Sequence, residues 1–139
     1  MTNTRPSVVA CVTGQYDCDR IIETAEQLAE ELDCELHVLS VLMPTENYTL
    51  ISDQLEYLNR VSKHAGADMT IIFSSDAPGA AVRFVRECNA PHIVTGIHDG
   101  GHESFLVRFN LQAPDVAITM VDRDRNVYTM DVNVCQTSI

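Results

Sequence analysis

The feature that most constrains the fold is the opening of the chain, where a short apolar segment, a polar turn and a long amphipathic run follow one another. The apolar segment Ser7–Thr13 is bounded by Pro6 and Gly14, which predicts a strand that is buried on both faces. The run Asp19–Leu32 places its apolar residues on one stripe with a helical period, which predicts a helix. Together they form the first half of a βαβ unit, with helix N–H groups exposed at the carboxyl end of the strand.

The rest of the chain repeats this alternation of apolar strands and amphipathic helices. Strands that are separated by helices of about ten residues or more pair in parallel through right-handed crossovers. The predicted fold class is therefore α/β, an open parallel sheet in three layers with helices on both faces. Further strands are predicted at Glu35–Leu42, Asp68–Ser74, His92–Thr95 and Val116–Val121. Further helices are predicted at Asp53–Ala65, from a cap at Ser75 or Asp76 to Cys88 and, as a short helix at most, at Glu103–Leu111.

The segment after the fifth strand departs from this alternation. Val127–Val134 alternates apolar and polar residues with period two, which predicts a half-buried strand. The loop Asp122–Asn126 could reverse the chain so that this extra strand lies antiparallel on the fifth strand, or the strand could pair with another protomer. We interpret residues 1–139 as a single domain in which the tail, residues 124–139, packs in cis or on a second protomer.

Composition and charge exclude several classes of function. The formal net charge is −11 in 139 residues, which opposes nucleic-acid binding because that binding depends on basic side chains meeting phosphates. No apolar run approaches the ~18–20 residues that a membrane-spanning helix needs, and the N-terminal residues lack the apolar core of a secretory signal. We therefore predict a cytoplasmic protein that binds neither nucleic acid nor a membrane.

The sequence offers no pattern typical of a catalytic or metal centre. Its five cysteines show no Cys-x-x-Cys spacing and are interpreted as small apolar packing residues. His98, Asp99, His102 and Glu103 lie close together in the chain, but this spacing is common by chance, so no metal is expected. No Ser-His-Asp or Cys-His arrangement can be argued from the spacing, and the signature Gly-x4-Gly-Lys-Ser/Thr is absent, so we do not expect an enzyme.

Two stretches of the sequence resemble the universal stress proteins. Ser75–Gly96, with the sequence SDAPGAAVRFVRECNAPHIVTG, resembles their third helix and fourth strand, and Val8–Leu42 is similar to their first βαβ half. More narrowly, Cys11–Gly14 followed by Asp19–Ala25 resembles the stress-protein module of bacterial potassium-sensor histidine kinases. The resemblance covers residues 7–122 and implies a Rossmann-like sheet with strand order 3-2-1-4-5.

The resemblance also implies where a ligand binds. In this strand order the ends of the first and fourth strands lie side by side, at the position where open α/β sheets bind ligands. The implied ligand is ATP or another adenine nucleotide, and family members commonly dimerise through an edge strand, so a homodimer is the expected assembly. The residues that the resemblance assigns to the nucleotide site are Thr13, Gly14, Gln15, Val41, Gly96, His98, Gly100 and Gly101.

The glycine motif of this chain departs from that of the ATP-binding members. Those members end the fourth strand in Gly-x2-Gly-x9-Gly-Ser/Thr, in which glycines allow close approach to phosphates. Here three residues separate Gly96 from Gly100, and no Gly-Ser or Gly-Thr pair follows. Thr13 or Gly14 stands where those members carry an aspartate for the adenosine. Arg108 is the one cation that could face a phosphate, and a surface role is the alternative.

A second ligand and a second class of function follow from the same residues. Some sensor-kinase modules bind a cyclic di-adenine nucleotide through Ser-x-Ser-x20-Phe-Thr-Ala-x-Tyr. That register is kept from Thr13–Gln15 to Leu36–Ser40, but the residues of the motif are not, apart from Thr13 in place of a serine. We therefore carry two hypotheses, a stress-linked sensor or regulator that binds an adenine nucleotide, and an interaction or dimerisation module of the same fold that binds no nucleotide. A nucleotide-hydrolysing enzyme is a weaker third hypothesis because the phosphate loop is missing.

Overall fold

The structure of the chain is a computed structural model that describes residues 5–12, 18–44, 48–96 and 103–130. Within these ranges, none of the helices combines the length and the hydropathy that a membrane span requires. In chain order the elements are β1 (Ser7–Val12), α1 (Asp19–Leu32), β2 (Glu35–Leu42), α2 (Tyr48–His64), β3 (Asp68–Phe73), α3 (Ala77–Glu87), β4 (His92–Gly96), α4 (Glu103–Gln112), β5 (Ala117–Val121) and β6 (Val127–Met130).

The strands confirm the predicted fold class. They form one sheet in the order β3-β2-β1-β4-β5-β6, in which β1 to β5 are parallel and β6 is antiparallel to β5. β1 lies between β2 and β4, and its residues are all buried.

The predicted start of the second helix was wrong, because α2 begins at Tyr48 rather than at Asp53. Asp53 suits a helix N-cap, but the preference of one residue is weak beside the packing of a longer helix.

Helices cover both faces of the sheet and produce the three layers. On one face, Ile22 of α1 and Leu58 of α2 pack with alternate strand residues such as Val38. On the other face, Val85 of α3 and Phe109 of α4 pack with the intervening strand residues. Because successive side chains of a strand point to opposite faces, each central strand contributes to both cores. With both faces covered, the ends of the strands are the places where a ligand can reach the sheet.

The extra C-terminal strand lies in the sheet of its own chain, where β6 pairs antiparallel with β5. Asp122 closes the connection between them, since its carboxylate accepts hydrogen bonds from the backbone N–H groups of Asn126 (2.8 Å) and Asp124 (2.9 Å). These bonds, that from Asn126 foremost, hold the pKa of Asp122 below its ordinary value. Residues 131–134 of the predicted strand lie outside the described residues.

A chain of polar side chains joins β4, β5 and β6. The Nε2 atom of His92 and the Oγ1 atom of Thr119 lie 2.7 Å apart, and the Oγ1 atoms of Thr119 and Thr129 lie 3.1 Å apart. His92 and Thr119 are buried, so these hydrogen bonds offset the desolvation of their polar atoms. Because a slip of one residue would turn Thr129 to the other face, the chain of contacts helps to specify the register of β6 on β5.

Candidate functional site at the switch point of the sheet

The carboxyl ends of β1 and β4 meet at the centre of the sheet. The two strands are neighbours, and Cys11 of β1 lies level with Thr95 of β4. The connection after β1 leads to α1 on one face, and the connection after β4 leads to α4 on the other face. Where neighbouring connections leave to opposite faces, an open α/β sheet has a crevice for a ligand. We call the region at the carboxyl ends of β1 and β4 the switch-point crevice.

Gly96 and Val41 are the predicted nucleotide-site residues that lie among the described residues. Gly96 is the last residue of β4 and therefore stands at the rim of the crevice. Val41 lies in β2 level with Ile72 of β3, and its partly buried side chain packs into the core on the α3 face. The other predicted site residues lie outside the described residues, namely Thr13, Gly14, Gln15, His98, Gly100 and Gly101.

At Gly96, the end of β4 lies against the first turn of α1. A Cβ atom at this position would lie 3.0 Å from Cδ1 of Ile21 and 3.5 Å from a terminal guanidinium nitrogen of Arg20. A contact of 3.0 Å is shorter than side chains ordinarily make, so the absence of a side chain lets the helix and the strand approach. This close approach forms the floor of the crevice between β4 and α1.

Arg20 is a residue of the crevice that the sequence analysis missed. Its side chain is only 6% exposed. Its Nε–H group donates a hydrogen bond of 2.9 Å to the backbone carbonyl of Asp122, the residue that follows β5. The guanidinium thus reaches from α1 past Gly96 to the end of β5. A polar residue in the first turn of an amphipathic helix is typical of the solvent-facing side, so the sequence carried no signal for this burial.

The β5–β6 hairpin is attached to α1 beside the crevice by a second contact. A terminal nitrogen of Arg125 lies 2.9 Å from Oε1 of Glu23, one turn along α1 from Arg20. Both side chains of this ion pair are more than half exposed, so it contributes at most about 1 kcal/mol. The part-buried hydrogen bond from Arg20 is expected to be the stronger of the two links because water competes less for it.

Arg108, the cation that the sequence analysis considered for a phosphate, has a different setting. One of its terminal nitrogens lies 3.4 Å from Oδ1 of Asp76. Asp76 is the N-cap residue of α3, and its Oδ1 atom also accepts a hydrogen bond of 3.1 Å from the backbone N–H of Gly79. Because both charged side chains are 57% exposed, this pair is a surface contact between α4 and α3.

Ser40 in β2 is a second residue that the sequence analysis did not single out. Among the residues that the structure describes, its hydroxyl oxygen is buried and has no hydrogen-bond partner. Ser40 lies level with Val12, the last residue of β1, and so belongs to the same edge of the sheet as the crevice. A buried hydroxyl without a partner costs about 1–3 kcal/mol. An unsatisfied buried group of this kind is rare in native proteins.

Thiol chemistry is disfavoured next to the crevice. Burial raises the pKa of the Cys11 thiol to about 12, so this thiol stays protonated at neutral pH and is a poor nucleophile.

Within the described ranges, no group of three or more His, Cys, Asp or Glu residues could hold a metal ion. His98, Asp99 and His102, which the sequence analysis considered as ligands, lie outside those ranges.

A depression of about 380 Å³ lies at the opposite, amino-terminal edge of the sheet. Among the described residues, its charged lining is mostly acidic, with Glu26, Glu30, Glu35 and Asp68 against the cation Arg5. An excess of carboxylates repels a phosphate, so this depression is not suited to a nucleotide.

Comparison with solved structures shows a shared fold. A universal stress protein from Archaeoglobus fulgidus aligns with a TM-score of 0.68 at 19% identity, covering 84% of this chain and 93% of the other. The universal stress protein from Archaeoglobus fulgidus in complex with dAMP aligns with a TM-score of 0.63 at 22% identity, covering 86% and 98%. A universal stress protein in complex with cAMP aligns with a TM-score of 0.62 at 17% identity, covering 86% and 98%.

Comparison of sequences finds similarity to a sensor protein. Sensor protein KdpD from Mycobacterium tuberculosis is 29% identical over 92 residues, which are 66% of this chain and 11% of the sensor protein. The match therefore spans a small part of that relative. No protein-family model matches the chain. The resemblance inferred from the sequence is confirmed, since the chain has the fold of the universal stress proteins and is similar in sequence to the KdpD sensor protein.

Proposed function

We propose that this chain is a universal-stress-protein-like module that binds an adenine nucleotide in the switch-point crevice. The observation that carries the proposal is the meeting of Gly96, Arg20 and Asp122 at the carboxyl ends of neighbouring strands. The glycine lets the first turn of α1 approach the end of β4, which places a buried guanidinium beside the crevice. Solved structures of the same fold in complex with dAMP and with cAMP support this class of ligand.

The acidic net charge of the chain does not exclude an anionic ligand at the crevice. The net charge of −11 opposes an anionic ligand at long range, but salt screens surface charges beyond about 8–10 Å. Arg20 lies beside the crevice and is buried, so its charge is screened much less. The amino-terminal end of α1 adds the positive end of a helix dipole at the same place, which the carboxylate of Asp19 in the first turn offsets in part.

The proposed role is that of a stress-linked sensor or regulator in the cytoplasm rather than that of an enzyme. In such a module the signal is the occupancy of the crevice, so no bond of the nucleotide needs to break. ATP is one expected ligand, and AMP and cAMP are ligands of similar chemistry. The protonated Cys11 thiol fits a binding role, because no nucleophile is required.

Nucleotide binding is expected to raise the thermal stability of the full chain. A ligand that binds only the native state stabilises it by about 2.7 kcal/mol at a hundredfold excess over the Kd, which raises the Tm of a domain of this size by roughly 10 °C. We would measure the Tm with ATP, AMP and cAMP, with GMP as the control for the base. Native mass spectrometry of freshly purified protein would identify a nucleotide that copurifies. The proposal would be contradicted if saturating ATP, AMP and cAMP changed neither the Tm nor the amide NMR spectrum of the protein.

The exposed edge of the sheet favours a second function, assembly through β6. Within the described part of the chain β6 is an edge strand, and its exposed residues include Val127 at 51%, Tyr128 at 49% and Met130 at 38%. Leu111 of α4 adds a further exposed apolar side chain at 74%. An apolar edge strand is a ready template for pairing with another chain. We therefore propose a homodimer formed through β6, which also suits the alternative of an interaction module that binds no nucleotide.

Met130→Lys is expected to convert the dimer into a monomer, because a charge on an edge strand blocks pairing. Phe73→Lys is the matched control, since Phe73 is 47% exposed on β3 at the opposite edge of the sheet. Sedimentation velocity of the full chain and both variants at equal concentration measures the assembly. A monomeric wild type, or a dimer that Met130→Lys leaves intact, would exclude β6 as the interface.

A further inference from the structure

The hydrogen bonds of the β5–β6 hairpin determine which backbone groups of β6 point away from the sheet. The N–H of Asp122 donates to the carbonyl of Asn126 over 3.0 Å, so these opposite residues form a hydrogen-bonded pair. In an antiparallel ladder such pairs alternate with non-hydrogen-bonded pairs. Tyr128 is therefore bonded to β5 through its backbone, whereas Val127 and Thr129 are not. The N–H and C=O groups of Val127 and Thr129 consequently point to the outer edge of β6.

This outer edge lacks the features that usually prevent pairing with another chain. β6 is the last strand of the sheet among the described residues. Its sequence, VYTM, contains neither a charged residue nor a proline, and both are common protections of edge strands. Valine, threonine and tyrosine also favour strands and contribute to cross-strand pairs. The edge therefore combines outward backbone groups with side chains that suit a neighbouring strand.

A second copy of the chain presents a strand that matches this edge. A two-fold axis perpendicular to the sheet pairs β6 antiparallel with β6 of the partner, and each face of the sheet continues across the pair. Hydrogen bonds form only where outward residues lie opposite outward residues. With the axis at Tyr128, Val127 lies opposite the partner's Thr129, and Thr129 lies opposite the partner's Val127. Every outward N–H and C=O group of these two residues then has a partner.

Two other positions of the axis also keep outward residues opposite one another. An axis at Val127 would place Thr129 opposite the partner's Arg125. Arg125 has a left-handed φ of 67° in the hairpin turn, so it is not extended and cannot continue a ladder. An axis at Thr129 would place Val127 opposite residue 131, which lies outside the described residues. The axis at Tyr128 is the one that uses only the extended residues of β6.

Tyr128 has a setting that suits the axis. It lies opposite Met120 of β5, whose side chain packs on the core at the face that α3 and α4 cover. Tyr128 therefore stands on that face, where it is 49% exposed. In a non-hydrogen-bonded pair the side chains lie closest, so the two tyrosine rings at the axis would cover each other. Aromatic cross-strand pairs stabilise antiparallel sheets.

We propose that two copies of the chain join their sheets through β6 in this register, with Tyr128 at the two-fold axis. The inference rests on the homodimer in the proposed function and deepens it by naming the residues that meet. The dimer is then one continuous sheet in which the helices of both copies cover the same two faces.

Disulfide cross-linking of the full chain tests the register. Opposite residues of a non-hydrogen-bonded pair have Cα atoms about 4.5 Å apart, within the range of about 4.4–6.8 Å that disulfides span. Under mild oxidation, Tyr128→Cys is expected to become a covalent dimer. Val127→Cys and Thr129→Cys alone are expected to cross-link at least about fivefold less, since diagonal neighbours lie ~7–8 Å apart. An equimolar mixture of these two variants, which keeps Tyr128, is expected to link position 127 to position 129.

The cross-linking needs a background and an identification. The wild type has five cysteines of its own and is oxidised in parallel. Mass spectrometry of the cross-linked peptides then shows which positions are joined. Sedimentation velocity of the reduced proteins establishes beforehand that each variant is a dimer at the concentration used.

Val127→Pro tests the hydrogen bonds of the same register. It removes the outward N–H of Val127 in both copies, and with it half of the bonds between the two strands, while the bonds from β6 to β5 stay. We expect the Kd of the dimer to rise at least about tenfold and the monomer to remain folded. Tyr128→Pro is the matched control, because it removes a bond to β5 and is expected to lower the Tm. Where Val127→Pro does not fold, the cross-links decide.

The outcomes separate this inference from the proposed function. Cross-linking of Thr129→Cys or Val127→Cys with itself, in place of Tyr128→Cys, overturns the register and leaves a dimer through β6 standing. A dimer that Met130→Lys dissociates, but in which none of these positions cross-links, has the same meaning. A wild type that is a monomer overturns the proposed homodimer, and the inference with it. Neither result bears on nucleotide binding at the crevice.

Discussion

Phe109→Ala is expected to lower the free energy of unfolding by about 3–5 kcal/mol. Phe109 is the largest of the fully buried side chains, with 0% exposure, and its ring centroid lies 6.0 Å from that of Phe105. It anchors α4 to the core on the face that α3 also covers. Truncation removes the transfer free energy of the ring and leaves a cavity that neighbouring side chains fill only in part. α4 is the helix that follows the crevice, so its loss of packing is expected to weaken nucleotide binding as well.

Leu111→Ala is the matched control for this prediction, because it truncates another large apolar residue of the same helix. Leu111 is 74% exposed, and its truncation is expected to change the stability by no more than about 0.5 kcal/mol. Urea unfolding of both variants, followed by circular dichroism, gives the two free energies from the midpoints and the slopes. Similar losses for Phe109→Ala and Leu111→Ala would mean that α4 does not pack on the sheet as described.

Gly96→Val is expected to lower the free energy of unfolding by about 1–3 kcal/mol, although valine favours strands. The Cβ atom alone would lie 3.0 Å from Cδ1 of Ile21, and the two methyl groups of valine need further space next to Arg20. Either the side chain of Ile21 changes its rotamer or the first turn of α1 moves away from β4, and a movement of that turn also displaces the guanidinium. We therefore expect Gly96→Val to weaken AMP binding, measured by calorimetry together with urea unfolding.

Gly96→Ala tests the cause of that loss. Its expected cost is smaller, because the atom it meets is the end of a flexible side chain. Ile21→Val removes that Cδ1 atom, so Gly96→Ala is expected to cost less in the Ile21→Val background than in the wild type. A double-mutant cycle of urea unfolding measures this coupling. Strict additivity of the two substitutions would show that the contact between Gly96 and Ile21 does not limit the approach of β4 and α1.

The bounds of the strands and helices around the crevice were predictable because the spacing of their apolar residues follows which side chains are buried. β2 was predicted at Glu35–Leu42 and has those bounds, and β4 extends the prediction of His92–Thr95 by one residue. Period two in the tail predicted an extra strand, but it left open whether that strand pairs within the chain. The pairing depends on the turn at Asp122, where bonds to two backbone N–H groups reverse the chain.

The setting of individual polar side chains was not predictable in the same way. Arg20 falls outside the apolar stripe of α1, which ordinarily indicates solvent, but the end of β5 covers it. Ser40 lies in a strand that the sequence predicts correctly, yet the pattern does not say whether a buried hydroxyl has a partner. For both side chains, burial and hydrogen bonding depend on groups that come from other strands, far along the chain.

The sequence by itself determined the alternation of strands and helices, the parallel sheet and the resemblance to the universal stress proteins, because periodic apolar residues must face a core whatever the final arrangement. Only the tertiary structure decided which polar groups meet at the crevice. Arg20, Gly96 and Asp122 come together because β4 inserts between β1 and β5 in the sheet, and that neighbourhood is a property of strand order rather than of any local pattern.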